Sequence, residues 1–281
     1  MATATHNAWK LFKTAPPTAW FGLIVVSIYV IVALLAPFFA PYGETEIVDV
    51  AGLGVGDSEK FLLGTDHIGR DVLSRIIYGA RNTVGIAFVT TLVTFLIGAV
   101  AGLLAAVLGG WVDQILSRIV DTLMAIPPLI FALLILTIVG TSVLNMIIVI
   151  AILDSTRVFR LARAVGMNVV VMDYVEVAKL RGEGLWWIIR YEVLPNISAP
   201  LAAEFGLRFC FVFLFIASLS FLGLGLQPPT ADWGSMVREM STLITFGLPT
   251  PLFPAAAVAL LTVSVNFVVD WFLHKTSGLK T

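Results

Sequence analysis

Charge is scarce in this sequence. Asp, Glu, Lys and Arg together make up 12% of its 281 residues, where a water-soluble domain carries about 25%. In their place stand hydrophobic side chains, at 59%, with a mean hydropathy of +0.98. A chain so poor in charge is not a soluble globular domain. Its formal net charge is -1 and it has no basic tract, so nothing in it points to nucleic acid. Cysteine is nearly absent too. Cys210 stands alone in an apolar run, which excludes an internal disulfide and reads as a small hydrophobe. His6, His67 and His274 are scattered over a tail, a loop and a chain end. They offer no zinc spacing and no His-Glu-x-x-His, so no metal site is expected. Gly-x-x-x-x-Gly-Lys-[Ser/Thr] does not occur, so any ATP that drives this protein is bound by another polypeptide. Gly223-Leu-Gly225 neither follows a strand nor opens a nucleotide-binding helix. With no convergent polar site, no enzymatic activity is expected.

Long apolar runs are present instead. A bilayer core of about 30 Å takes roughly 20 apolar residues as a helix, and about six such runs occur: Trp20–Ala40, Val84–Leu108, Ile119–Val139, Val143–Phe159, Ile197–Leu224 and Pro249–Phe272. The fold class is therefore an all-α membrane protein. The first run is longer than a signal-peptide core and Pro37 and Pro41 crowd any cleavage site, so it reads as a retained helix. With the N-terminus in the cytoplasm and six crossings, eleven basic residues fall inside, from Lys10 and Lys13 to Lys275 and Lys280, against five outside. Arg208 lies within a span. Positive residues favour the cytoplasmic side, which selects the N-in, C-in arrangement. Residues 1–19 form a cytoplasmic segment and residues 20–281 the membrane domain.

Three connections exceed simple turns, and long ordered loops tend to carry function. An outer one covers about 41–83. Within it Thr65 or Asp66 can cap a helix. Val72, Ile76 and Ile77 then make an apolar stripe opposite Asp71 and Arg75, as in a helix lying on the membrane surface. An inner one covers about 160–196. There Tyr174–Arg181 suits a short helix ended by Gly182 and Gly184, Trp186, Trp187, Ile188 and Ile189 suit the interface, and Pro195 fits the first turn of the next span. The third, about 225–248, follows an abrupt stop at Gly223, Gly225, Pro228 and Pro229. Trp233 and Met236 either dip back as a re-entrant element at the outer mouth or simply anchor a loop at the interface.

Charges at membrane depth are costly and usually face a cavity, a partner or one another. Glu204 and Arg208 are spaced as a helical ion pair. A self-neutralising pair against a second chain is favoured over a pair lining a solute path. Asp121, Asp154 and Asp270 read as lying near inner helix ends, with Arg157, Arg160 and Arg163 available as partners. Gly98 and Gly102 form a Gly-x-x-x-Gly that permits close helix approach.

The inner loop, with Glu176-Val177-Ala178, then Gly182, then Val193-Leu194-Pro195, resembles the EAA loop of bacterial ABC importer permeases, with valine at the middle position. The run Gly64-Thr65-Asp66 to Gly69-Arg70-Asp71-Val72-Leu73-Ser74-Arg75 and Tyr78-Gly79-Ala80-Arg81 is similar to the C-type permease subunit of dipeptide, oligopeptide and nickel importers. So is Leu219-Ser220-Phe221-Leu222-Gly223, with Asp232-Trp233-Gly234-Ser235-Met236. Where many of that subfamily carry a Glu before Leu-Ser-Phe-Leu-Gly, this chain has Ile216-Ala217-Ser218. The resemblance implies a type I importer permease in the bacterial inner membrane, forming half of a path that works by alternating access. Its partners would be a second permease, two cytoplasmic ATPases carrying ATP and Mg, and an extracytoplasmic solute-binding protein. Glu176, Val177, Ala178, Gly182, Leu194 and Pro195 would couple it to the ATPases. The expected solutes are peptides first, then nickel complexes, opines, modified sugars and other peptide-like molecules. The rival is an ion-gradient-driven secondary transporter, which needs midplane ion sites on broken helices and often inverted repeats. A non-transporting membrane anchor is a third reading.

Overall fold

The computed structural model describes residues 15–276, and within them the chain is a bundle of long helices whose only strand pairing is two isolated bridges, Ile47 with Arg70 and Thr65 with Asp71. Lys10, Lys13 and Lys280, used above to assign the sides of the membrane, lie outside the described residues. Helix α1 (Pro17–Leu34) opens on a proline at its first position and ends before a separate turn at Ala36–Phe39. Pro37, with no N–H and a ring that clashes with the preceding turn, breaks the expected Trp20–Ala40 span there. Ile24, Ile28 and Ile31 on α1 are exposed, an arrangement costly in water but natural against lipid tails.

The expected surface helix is instead the first part of a spanning rod. Helix α2 (Val72–Gly79) runs through a π turn at Ala80–Val84 into α3 (Gly85–Leu108), a continuous helical stretch of 37 residues. It starts where Asp71 accepts a hydrogen bond from the Ser74 N–H at 2.8 Å, a side-chain cap. The third expected span is also different. Helices α4 (Gly110–Met124) and α5 (Pro128–Val139) meet at 87°. Pro127 and Pro128 follow each other at the elbow, and two missing N–H groups stop α4 from continuing. Helix α6 (Val143–Val170) is capped by Ser142 and runs past the expected end at Phe159, so the inner loop begins only after Val170. Arg157, Arg160 and Arg163 therefore belong to a helix.

Helices α3 and α6 share the most extensive contact in the bundle. A Cβ at Gly98 would lie 2.5 Å from the Ser155 carbonyl oxygen, and one at Gly102 would lie 2.6 Å from that of Phe159. The Gly-x-x-x-Gly is thus the seam that lets these two backbones touch. Helix α8 (Leu194–Phe221) is preceded without a break by Leu185–Trp187 and a π turn at Ile188–Val193. Helix α10 (Leu252–Thr276) packs on α1 and α8. Four helical stretches are long and apolar enough to cross a membrane, or five with the bent α4–α5 pair as one.

Two short helices lie at opposite ends of this bundle. Helix α7 (Asp173–Leu180) sits beside the π turn before α8. Helix α9 (Trp233–Met240) sits where α8 ends and α10 begins.

Candidate functional site

Helix α7 carries Asp173 and Glu176 in its first turn and Lys179 in its last, the charge order that suits the helix dipole. Val175 and Ala178 are fully buried. Val175 joins a cluster with Ile188, Ile189, Val193 and Ile197, which also takes in Leu103 and Ala162. The small side chain of Ala178 is packed within this chain. Facing outward are Glu176, Tyr174, Val177 and Leu180, the last 82% exposed, with Val171 and Trp186 beside them.

Gly182 ends the helix for a reason the backbone shows. Its φ is +82°, its N–H bonds to the Lys179 carbonyl at 3.0 Å, and the Glu183 N–H bonds to that of Ala178 at 3.2 Å. This pair of bonds closes a helix C-terminus through a left-handed residue, which glycine adopts without Cβ strain. Leu194 and Pro195 are exposed at the start of α8. Pro195 has no N–H to give an α-helical turn, and the wide π turn ends just before it. Trp186 is exposed as expected, but Ile188 and Ile189 are core residues. Trp187 is partly covered, with its ring 5.3 Å from Tyr191 and the Arg181 guanidinium 5.6 Å above it.

Further along the bundle, Glu204 and Arg208 do form the expected pair, at 2.8 Å. The pair is not self-contained. Asp154 on α6 reaches the same guanidinium at 3.2 Å, so three charges from two helices share one site in mid-bundle. Asp154 was expected at an inner helix end; the extra turns of α6 place it centrally. Arg160 pairs with Asp121 at 2.6 Å and Arg163 with Asp113, which fastens α4 to α6. Asp121 and Asp113 are separate from the mid-bundle cluster.

The other end holds a buried polar clamp. Asp66 accepts from Arg70 Nε at 2.7 Å and from Arg75 at 2.6 Å. Glu239 on α9 accepts from the same two guanidinium groups, at 3.3 and 3.1 Å. Arg75 and Asp66 are fully buried. Burial pushes the Asp66 carboxyl up, but the N–H groups of Arg70 and Ile68 and the two arginine charges outweigh it and hold it below the usual carboxylate range. Alongside, Asp232 caps α9 through the Ser235 N–H at 2.9 Å and accepts from the Thr83 hydroxyl at 2.8 Å. Here burial dominates and raises the carboxyl above its ordinary value. Trp233 and Met236 are 1% and 0% exposed. The Trp233 indole N–H donates to the Ile76 carbonyl at 2.9 Å, and a Cβ on Gly79 would come within 2.7 Å of its ring. Neither residue is an interfacial anchor: both are core of the joint between α2 and α9. The motif strings of the outer segments are thus largely the two halves of one clamp. Sequence reading missed Glu239 and Thr83, which carry no local signal and matter only through partners distant in the chain. Among the described residues no group of His, Cys, Asp and Glu is arranged to hold a metal ion.

The chain is similar to known membrane transport components. Residues 98–275 match the model of a family described as binding-protein-dependent transport system inner membrane component. Residues 3–51 match the N-terminal transmembrane domain of oligopeptide transport permease C. A dipeptide transport system permease protein of Haemophilus influenzae is 34% identical over 273 residues, which is 95% of this chain and 92% of that protein. A glutathione transport system permease protein of Pectobacterium atrosepticum is 32% identical over 268 residues, 95% and 89% of the two chains. A di/tripeptide transport system permease protein of Pseudomonas aeruginosa is 35% identical over 254 residues, 89% and 84%.

Proposed function

The chain belongs to the binding-protein-dependent transport system inner membrane components, and from that premise we propose that it forms half of the path of an ATP-driven importer of peptides or peptide-like solutes. It is a permease subunit of the bacterial inner membrane and not the catalytic subunit of its transport system. The solute class rests on relatives that are dipeptide, di/tripeptide and glutathione permeases.

The coupling reading rests on one observation. A short helix at the end of the bundle is locked to its own chain by Val175 and Ala178 while Val177 and Leu180 remain exposed. An apolar face on a rigid mount suits docking of a partner. In this reading α7 enters a groove on a cytoplasmic ATPase, Glu176 meets a basic or hydroxyl group there, and Leu194 and Pro195 pass its motion into α8. Gly182 acts by ending the helix sharply. Two ATPases hold the ATP and Mg, a second permease completes the path, and a solute-binding protein meets the opposite end near the clamp. Helix α6 is the remaining crossing, which makes six with both termini cytoplasmic. ATP binding draws the coupling helices together and opens the path outward; hydrolysis resets it. Such a shift needs contacts that differ between the two states.

The test is purification of this chain in mild detergent from its native membrane, then reconstitution of what accompanies it. Recovery of a second permease and a Walker-motif ATPase, with uptake that needs ATP and survives collapse of the proton gradient, is the expected result. A chain that purifies alone and transports on an ion gradient would overturn it.

A further inference from the structure

Among the cavities that open between the helices, two differ in chemistry. The larger, about 590 Å³, lies among α1, α3, α8 and α10 and is walled by residues such as Tyr29, Phe88, Phe205 and Val265, with no charged side chain. The smaller, about 290 Å³, lies between the α4–α5 elbow, α6 and α8, and its walls combine Pro128, Phe211 and Phe215 with Asp154 and Arg157.

Three independent features single out the smaller one. The first is depth. Asp154 and Arg157 fall in the middle of α6, and Arg208 in the middle of α8. An arginine at the centre of a bilayer costs at least about 2.5–3.5 kcal/mol against lipid, yet Arg157 is exposed. The second is charge. Asp154 and Glu204 both bridge Arg208; Arg157 attracts the same two carboxylates from a greater distance but forms no ion pair among the described residues. Its guanidinium stands 5.3 Å above the Phe211 ring, leaving its N–H groups for another acceptor. The third is the backbone. Helix α5 has 12 residues, a rise of about 18 Å, too short to cross a core of about 30 Å alone. The elbow at residues 125–127 is therefore at membrane depth, where non-helical backbone is tolerated only in protein or beside a water-filled space.

We propose that this cavity is the part of the solute path contributed by this chain, and that Arg157 receives the carboxylate of the passing solute. The proposal rests on the importer reading above and goes beyond it by naming a face, a residue and a ligand group. A planar guanidinium binds a carboxylate through two parallel hydrogen bonds. The Phe211 and Phe215 rings and Pro128 give apolar walls that accept varied side chains without specifying one. Asp154 and Arg208 act as positioning residues: their bridge ties α6 to α8 and fixes the wall on which Arg157 stands.

The experiment uses the whole transport complex in proteoliposomes, with a labelled dipeptide and its C-terminal amide as paired probes. The same binding protein serves every variant, so any change in the acid-to-amide uptake ratio caused by Arg157→Gln belongs to this chain. The expected result is a fall in that ratio of about tenfold, equivalent to about 1.4 kcal/mol, with complex assembly intact and with Arg157→Lys keeping part of the preference. An unchanged ratio overturns the proposal. So does loss of the second permease from Arg157→Gln while Arg157→Lys retains it, which would make Arg157 a subunit contact. A second arm does not depend on the solute. Phe211→Cys in the same complex should react with a charged, membrane-impermeant thiol reagent in at least one nucleotide state, because Phe211 is half exposed beside the cavity whereas Cys210 is buried. Absence of labelling in every state means that this face does not meet water and overturns the proposal. If the wild-type complex takes up neither probe, the peptide reading fails, and labelling at Phe211 still decides the cavity.

Discussion

Asp66 and Asp232 sit in the same clamp, both with fully buried side chains, and their surroundings drive them in opposite directions. Asp66 receives two guanidinium groups and two backbone N–H bonds, so its charged form is the one the fold favours. A carboxyl held below its unfolded value adds stability that is fully present above that value, about pH 4, and is lost as pH falls through the folded value. Asp232 has no cation and is raised by burial. Its contribution to stability is fully present below its unfolded value and is lost as pH rises through the higher folded one. Two substitutions separate the cases. Asp66→Asn leaves two buried arginines short of a counter-charge and should cost about 3–5 kcal/mol. Asp232→Asn keeps a good helix cap, and the Thr83 hydroxyl can turn to accept from the new amide, so a change of less than about 1 kcal/mol is expected. Thermal unfolding of the purified complex at neutral pH checks both. Equal losses would mean that Asp232 is held as a carboxylate.

At the scale of elements, the short helices are the ones whose role depends on which side they turn. The spacing of Glu176, Val177 and Ala178 was legible as a short helix ended by Gly182, and that helix is present. Its inward and outward faces were not legible, because an eight-residue helix has too few turns for periodicity to choose between a core and a partner. The structure gives the choice: Val175 and Ala178 inward, Val177 and Leu180 outward. Leu180→Asp should therefore leave the unfolding temperature unchanged while lowering transport-linked ATP hydrolysis at least about tenfold. Val175→Asp, which buries a carboxylate without a partner, should destabilise the chain itself. Parallel unfolding and ATPase measurements distinguish them, and a Leu180→Asp complex with full coupling would remove α7 from the docking surface. The same limit explains α2. An apolar stripe with Asp71 and Arg75 opposite looks like a surface helix until the acidic partners of Arg75, at positions 66 and 239, bury the polar side.

For the whole molecule, the two ends are chemically distinct. The clamp end holds residues 41–71 and α9; the other holds α7 and the Arg160–Asp121 and Arg163–Asp113 pairs. If the termini are cytoplasmic, a cysteine replacing exposed Lys179 reacts with an impermeant reagent only from the cytoplasmic face, and one replacing exposed Lys60 reacts only from the opposite face. Both reacting from one face would show that the chain crosses the membrane an even number of times between them. Reaction with the sides exchanged would invert the proposed arrangement and move the ATPase surface away from α7.

The sequence by itself determined the solvent, the helical class and the family. Each follows from local or compositional properties: too little charge for water, apolar runs long enough to span, and motif strings that lie within single segments. Only the tertiary structure decided which partners their side chains meet. Glu239 meets Arg70 and Arg75, Asp154 meets Arg208, and Gly98 meets the Ser155 carbonyl, all across separations that no local pattern encodes. In a membrane the hydrophobic effect does not distinguish a lipid-facing leucine from a buried one. Hydropathy can therefore count apolar segments, but it cannot say which face of each is turned to the lipid, to a neighbouring helix or to the path.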